Sequence, residues 1–192
     1  MSVLLDAGPV LNFLAVGQQN VLAKAADHVG LQMCAPARID TEVQGMAKDP
    51  LFSSTAVAAT WRKLTASGRI SILSDELTPS VFTAAVTRIS GVPAATRVRS
   101  RKSLGEIMVL AHASALAQAG TNVIVLIDEQ DGRDRAAREQ GWLRRSAAPG
   151  QLALWSTKQV LKQAQPGWIA GGFTWQQVYV QMRPFDAGLP PL

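Results

Sequence analysis

Short runs of apolar residues alternate along this chain with longer segments in which apolar positions recur every three or four residues. The short runs have strand length and are rich in branched aliphatic side chains. They occupy residues 2–6, 31–35, 70–73, 123–128 and 152–155. The alternation predicts an α/β fold, in which helices cover both faces of a central, mainly parallel sheet.

The intervening segments have helical periodicity and helix-start signals. Helices are predicted from Gly8-Pro9, over 19–28 and 37–47, from Asp49-Pro50 to Ser67, after Thr78-Pro79, over 103–119, 131–140 and 157–164, and from Thr174. Residues 103–119 are apolar on nearly every face, so we expect this helix at the centre of the fold. His112 within it is then expected to be a core residue with a satisfied ring.

The 192 residues suit one domain, which we place at 1–165, followed by an extension at 166–192. The extension is rich in Gly, Trp and Pro. Its predicted helix places Trp175, Val178, Tyr179 and Met182 on one face. That face is expected to pack on the domain, and a homodimer or partner interface is the alternative.

The net charge of +5 and the isoelectric point near 9.9 favour a polyanionic partner such as nucleic acid. The single cysteine, Cys34, rules out an internal disulfide and a cysteine-based zinc cluster. The N-terminus lacks the pattern of a signal peptide, and no apolar stretch is long enough to span a membrane. We therefore expect a cytoplasmic protein that does not enter a membrane.

Four carboxylates occupy positions where this fold would gather acids. Asp6 and Asp128 end predicted strands, whereas Glu42 and Glu106 lie in predicted helices. The carboxyl ends of parallel strands form the usual ligand-binding edge of an α/β sheet. Clustered carboxylates repel one another unless a cation neutralises them, and oxygen ligands favour Mg²⁺ or Mn²⁺ over zinc.

Each acid taken alone also has an ordinary structural explanation. Asp6 and Asp128 suit turns beside helix starts, and Glu42 suits a solvated helix face. Ser103 and Glu106 have the spacing of a capping box, in which the glutamate would bind a backbone N–H. The joint position of the four acids favours the metal site.

The same segments resemble the PIN-domain family. Residues 3–14 resemble the family's first strand, first acid and first helix, and residues 41–43 resemble the segment of its second acid. Residues 104–107 resemble the Gly-Glu form of its third-acid helix, and residues 127–136 resemble the Asp-x-x-x-Gly-Arg-x-x-Ala form of its fourth-acid segment. It extends from about residue 2 to residue 164. It implies a three-layer α/β/α sandwich with a central, mainly parallel sheet.

The resemblance also implies a Mg²⁺- or Mn²⁺-dependent endoribonuclease, typically the toxin of a bacterial toxin–antitoxin pair, with RNA and an antitoxin protein as partners. Asp6 and Asp128 would be direct metal ligands. Glu106 would be a ligand or the base that orients water, and Glu42 would act in the outer sphere. Asp131 would be a fifth acid or the N-cap of the following helix.

The chain departs from the family pattern just after the first acid. Ala7 and Gly8 stand where the family usually has Ser, Thr or Asn, and the Asn12 amide would compensate if it reached the site. This departure keeps open a catalytically weak PIN-like module that binds RNA or a partner protein. A phosphohydrolase with Asp6 as nucleophile ranks last, because it would need a second aspartate where Gly8 stands.

Basic residues flank the predicted acidic site on both sides. The RNA-binding candidates are Arg97, Arg99, Arg101, Lys102 and Arg133. They would hold a phosphate backbone across a site that otherwise repels it. Arg135 and Arg138 follow in the next predicted helix, where a solvated surface is an equal alternative.

Overall fold

The structure, a computed structural model, describes residues 1–78, 80–186 and 188–192. Within them, five strands form one sheet in the order β3-β2-β1-β4-β5, and every neighbouring pair is parallel. The strands are β1 Ser2–Leu5, β2 Gln32–Pro36, β3 Ile70–Leu73, β4 Val123–Leu126 and β5 Leu152–Trp155. The predicted parallel sheet is therefore confirmed, with each strand within two residues of its expected limits.

Helices connect the strands, as parallel pairing requires. They are α1 Ala7–Ala15, α2 Gln19–His28, α3 Ala37–Gly45, α4 Val57–Ala66, α5 Val81–Ser90, α6 Ala94–Arg97, α7 Leu104–Gln118, α8 Gln130–Arg145, α9 Thr157–Lys162 and α10 Trp175–Met182. Two 3₁₀ turns, Met46–Lys48 and Ala170–Gly172, complete the assignment.

The helices cover the sheet in two layers, so the fold is the expected three-layer α/β/α sandwich. Helix α7 packs across the sheet between α5 and α8, and α1 contacts α2 and α10. Helix α7 is buried on nearly every side, as its uniform apolarity predicted. No helix in the described part of the chain is both long and apolar enough to cross a membrane.

His112 lies in this buried helix with its ring satisfied, as expected. Its Nε2 lies 2.8 Å from Oδ1 of Asp75, and Phe82 stacks on the ring at 4.2 Å between centroids. The other Asp75 oxygen accepts a bond from the backbone N–H of Arg38, at the start of α3. Cys34 is buried and free, which also agrees with the sequence.

Two predicted helix limits were wrong. Residues 49–56 form turns, so α4 begins at Val57 and not at Asp49-Pro50. Local bonds hold these turns, including one from the backbone N–H of Leu51 to Oδ1 of Asp49. Helix α8 continues through Gly141 to Arg145, because Leu143 on its inner face still contributes to the core. The predicted start at Pro79 lies outside the described residues, and Ser80 caps α5 with its side chain.

The extension packs on the domain. Val178, Tyr179 and Met182 are fully buried in the main core, and Thr174 forms the predicted capping box at the start of α10. The Gln18 side chain bonds the backbone of Ala170 in both directions. The domain limit at 165 and a dimer interface stay predictions.

Candidate active site

The first acid stands at the carboxyl edge of the sheet, where β1 and β4 run side by side. Leu5 pairs with Leu126, and the backbone N–H of Asp6 donates to the carbonyl of Leu126 at 3.2 Å. Asp6 therefore lies between the end of its own strand and the start of α1, as its position in sequence predicted.

An acidic pocket of about 190 Å³ opens at this edge. Its charged and polar lining includes Asp6, Glu42, Glu106, Glu129, Arg101 and Ser103. Three of the four predicted acids are thus brought together, from the residue after β1, from α3 and from α7. The fourth acid in the pocket is Glu129 and not its neighbour Asp128.

Glu106 is the most unusual member of the pocket. It is 6% exposed, and both of its carboxylate oxygens are buried without a hydrogen-bond partner among the residues described. The nearest cation, Arg135, approaches only to 3.9 Å between Nε and Oε2. Burial raises the pKa of Glu106 to about 7, and the Glu129 carboxyl adds to this rise.

The capping-box explanation of Glu106 is wrong. Ser103 is at the N-cap position of α7, but its side chain makes no capping bond. Its backbone is left-handed, with φ of 50°, which non-glycine residues rarely adopt. No capping bond therefore accounts for the burial of Glu106, whose charged neighbours include Arg135 and the Glu129 carboxyl.

Asp6 shares this electrostatic environment. It is 6% exposed, and burial raises its pKa to about 8. The Glu106, Glu129 and Glu42 carboxylates raise it further, while the backbone N–H of Ala7 opposes the shift. An acid with this pKa is mostly protonated at neutral pH unless a cation stabilises the ionised form.

Glu42 reaches the pocket from α3 as half of an ion pair. Its Oε1 accepts a bond of 2.7 Å from Nε of Arg38, one helical turn earlier. Its Oε2 would lie 2.7 Å from a Cβ atom on Gly105. Only glycine at position 105 lets α7 approach this carboxylate so closely.

Asp128 faces away from the pocket, towards the start of α9. Its Oδ1 accepts the backbone N–H of Thr157 at 2.9 Å, and its Oδ2 accepts the Thr157 hydroxyl at 2.5 Å. Burial raises the pKa of Asp128, and these bonds from Thr157 oppose the rise. Sequence reasoning missed Glu129 because a strand-end aspartate is the stronger signal of the two adjacent acids.

The accessory candidates take other positions. Asn12 is buried in α1, and its Nδ2 donates to Oδ2 of Asp186 in the extension at 2.9 Å. Asp186 gave no sequence signal, because the extension lies outside the resemblance. Asp131 is not the N-cap of α8, which is Glu129, but an exposed residue in the first helical turn.

The basic candidates divide into buried and exposed groups. Arg97 is 8% exposed, and its guanidinium donates to the carbonyls of Ser100 and Lys102. Arg133 donates to the carbonyl of Ile127 at 3.3 Å. Arg99, Arg101 and Lys102 are exposed, and Arg101 lines the acidic pocket.

A second glycine explains how α8 reaches the site. A Cβ on Gly132 would lie 2.3 Å from Cδ1 of Ile127 and 3.1 Å from Oε1 of Glu106. We expect Gly132→Ala to lower the free energy of unfolding by about 1–3 kcal/mol, as overpacking does. Urea denaturation measures this change.

Gly45 at the end of α3 provides the matched control. It has helical φ and ψ of −62° and −28°, and a Cβ there would meet nothing within 4 Å. Gly45→Ala should leave stability unchanged or raise it by up to about 1 kcal/mol. Equal effects of the two substitutions would contradict the packing at Gly132.

No protein-family model matches this chain, and the comparisons found no match among the curated proteins or the solved structures. The PIN resemblance therefore rests on the sequence segments quoted above. The parallel sheet, with an acid following β1, agrees with the architecture that this resemblance implies.

The donor chemistry of the pocket fits a hard divalent cation. The Glu106 oxygens, which accept no hydrogen bond within the described ranges, lie beside Asp6 and are ligands of the type that Mg²⁺ and Mn²⁺ prefer. As the side chains stand within the described ranges, no three His, Cys, Asp or Glu residues converge closely enough to hold an ion. The fit therefore rests on donor type and on the unpaired oxygens of Glu106, not on a preformed coordination geometry.

Proposed function

We propose that this protein is a Mg²⁺- or Mn²⁺-dependent endoribonuclease that hydrolyses RNA phosphodiester bonds at the acidic pocket. The observation that carries the proposal is Glu106, whose two buried oxygens accept no hydrogen bond from the described residues and lie beside the buried Asp6. A folded protein rarely retains such a group unless a ligand completes it. The positive net charge is compatible with a phosphate-bearing substrate.

The bound cation would lower the pKa of a water molecule and stabilise charge on the leaving oxygen. Asp6 and Glu106 are the proposed metal-holding carboxylates, with Glu42 in the outer sphere. Glu129 is proposed in the place for which the sequence suggested Asp128. With a cation bound there, the Glu106 carboxylate would be ionised at neutral pH. Arg101, at the pocket wall, would position a substrate phosphate.

A weakly catalytic module that binds RNA or a partner protein is the second candidate. Ala7 and Gly8 supply no side-chain oxygen beside Asp6, and Thr157 occupies both Asp128 oxygens. Both features reduce the number of groups available to hold water or metal. A protein of this second kind would have the same fold and basic surface but would hydrolyse RNA weakly.

Cleavage of generic single-stranded RNA distinguishes the two candidates. The nuclease is expected to cleave in Mg²⁺ or Mn²⁺ and to stop when EDTA is added. Restored cleavage after metal is returned in excess would exclude damage by the chelator. Binding of RNA without metal-dependent cleavage would favour the second candidate.

The biological setting follows only from the resemblance. We propose a cytoplasmic toxin that an antitoxin protein inhibits, with a homodimer as its assembly. A small gene directly upstream that encodes a short DNA-binding protein would support this setting.

A further inference from the structure

A basic groove separate from the acidic pocket lies between α5 and α8. It encloses about 200 Å³, and its lining includes Arg88, Arg135, Arg138, Trp142 and Arg145. We call these five residues the α8 groove. Four of the five are arginines, so the groove is suited to an anion.

Helical periodicity places four of these residues on one face of α8. The first of them is Arg135, and the other three lie three, seven and ten residues further on: Arg138, Trp142 and Arg145. This spacing aligns the four side chains along the helix. The stripe is about 15 Å long at 1.5 Å per residue. Arg145 folds back along it, with Nη1 lying 3.2 Å from where a Cβ on Gly141 would stand.

The one acid that lines the groove does not neutralise this stripe. Glu139 is 3% exposed and accepts bonds from Arg88 and from the Ser114 hydroxyl, at 2.5 Å each for Oε1. Arg88 in turn lies 3.4 Å above the Trp142 ring. These contacts fix Arg88 in place and leave the charges of Arg138 and Arg145 exposed to solvent.

The groove is connected to the acidic pocket through Arg135. This residue also lines an adjoining cavity of about 410 Å³, together with Lys102 and Ser103. Its Nε lies 3.9 Å from Glu106 Oε2 inside the acidic pocket. A strand that lay in the groove could therefore continue to the proposed site of cleavage.

We propose that the α8 groove binds backbone phosphates of the RNA strand on one side of the scissile bond. Guanidinium groups bind phosphate oxygens in paired hydrogen bonds, and their spread along the helix suits successive phosphates. This inference takes RNA as the ligand from the proposed function, but it does not require that the chain cleave the RNA. Its test therefore measures binding alone.

The experiment follows binding of a short fluorescent single-stranded RNA by anisotropy in EDTA, over a range of salt concentrations. Arg138→Gln with Arg145→Gln is expected to weaken binding about tenfold at low salt, and to make the slope of log K against log salt shallower by about 1.4. Arg138→Lys with Arg145→Lys should restore the salt dependence, because the charges remain, but only part of the affinity, because lysine cannot form the paired hydrogen bonds. Thermal melting checks that each variant is folded.

The matched control removes the same charge elsewhere. Arg62 and Lys63 are exposed on α4, so Arg62→Gln with Lys63→Gln should bind RNA nearly as well as the unmodified chain. Equal losses of RNA affinity in the two double-glutamine variants would overturn the proposed role of the α8 groove, because such losses would reflect net charge alone. Failure of the unmodified chain to bind RNA in EDTA would overturn it as well. If the variants bound RNA as predicted but the unmodified chain did not cleave it, the result would count against the proposed nuclease activity and not against RNA binding by the groove.

Discussion

The metal-free protein is expected to lose stability as the pH rises from about 4 to about 8. Asp6 has a pKa of about 8 in the folded protein, raised from 3.8, so over this range the unfolded chain has released a proton that the folded chain keeps. Unfolding therefore releases a proton, and the free energy of unfolding falls as pH rises. At about 1.4 kcal/mol per pKa unit, the loss amounts to several kcal/mol.

Thermal melting between pH 5 and pH 8 in EDTA measures this effect. Asp6→Asn should remove about half of the decline, because Glu106, whose pKa is also raised, to about 7, keeps its own share. The variant should be more stable than the unmodified protein at pH 8. The matched variant Asp49→Asn changes a turn aspartate and should keep the decline. Added Mn²⁺ should raise the melting temperature more at pH 8 than at pH 5, because protons compete for the acids. The same decline in Asp6→Asn would show that other groups cause it.

The fold could be predicted because its signals are local. Strand runs at 2–6 and 123–128, separated by helical periodicity, were enough to indicate a parallel sheet and to place Asp6 at its carboxyl edge. The segment at 49–56 could not be predicted, because the helix-start signal at Asp49-Pro50 is the same in a turn as in a helix. Local bonds, such as that from the backbone N–H of Leu51 to Oδ1 of Asp49, hold the turns instead.

The candidate site could be predicted in part. Asp6, Glu42 and Glu106 meet in one pocket, as the sequence indicated. The choice between Asp128 and Glu129 depends on a hydrogen bond to Thr157, which lies 29 residues further along the chain. The same limit applies to the α8 groove, because Arg88 joins it from α5. The PIN identity and the nuclease activity stay predictions.

Glu106→Gln is expected to abolish tight metal binding. The substitution keeps the size of the side chain but removes the charge of a group whose two oxygens have no other partner among the described residues. In metal sites, loss of a residue that only orients a ligand already lowers metal affinity by about tenfold to a hundredfold. Loss of a ligand itself should lower the affinity at least as much. We therefore expect Mn²⁺ affinity to fall by at least about a hundredfold. Glu76→Gln is the matched control, since Glu76 is exposed and lies outside the pocket.

Calorimetric titration of Mn²⁺ into the unmodified protein, Glu106→Gln and Glu76→Gln at pH 8 tests the metal site most directly. The site proposed here predicts saturable binding to the unmodified protein and to Glu76→Gln, accompanied by proton release, and no measurable binding to Glu106→Gln. Circular dichroism would establish that all three proteins are folded. Equal Mn²⁺ binding by all three, or no binding by the unmodified protein, would contradict a metal site at the acidic pocket.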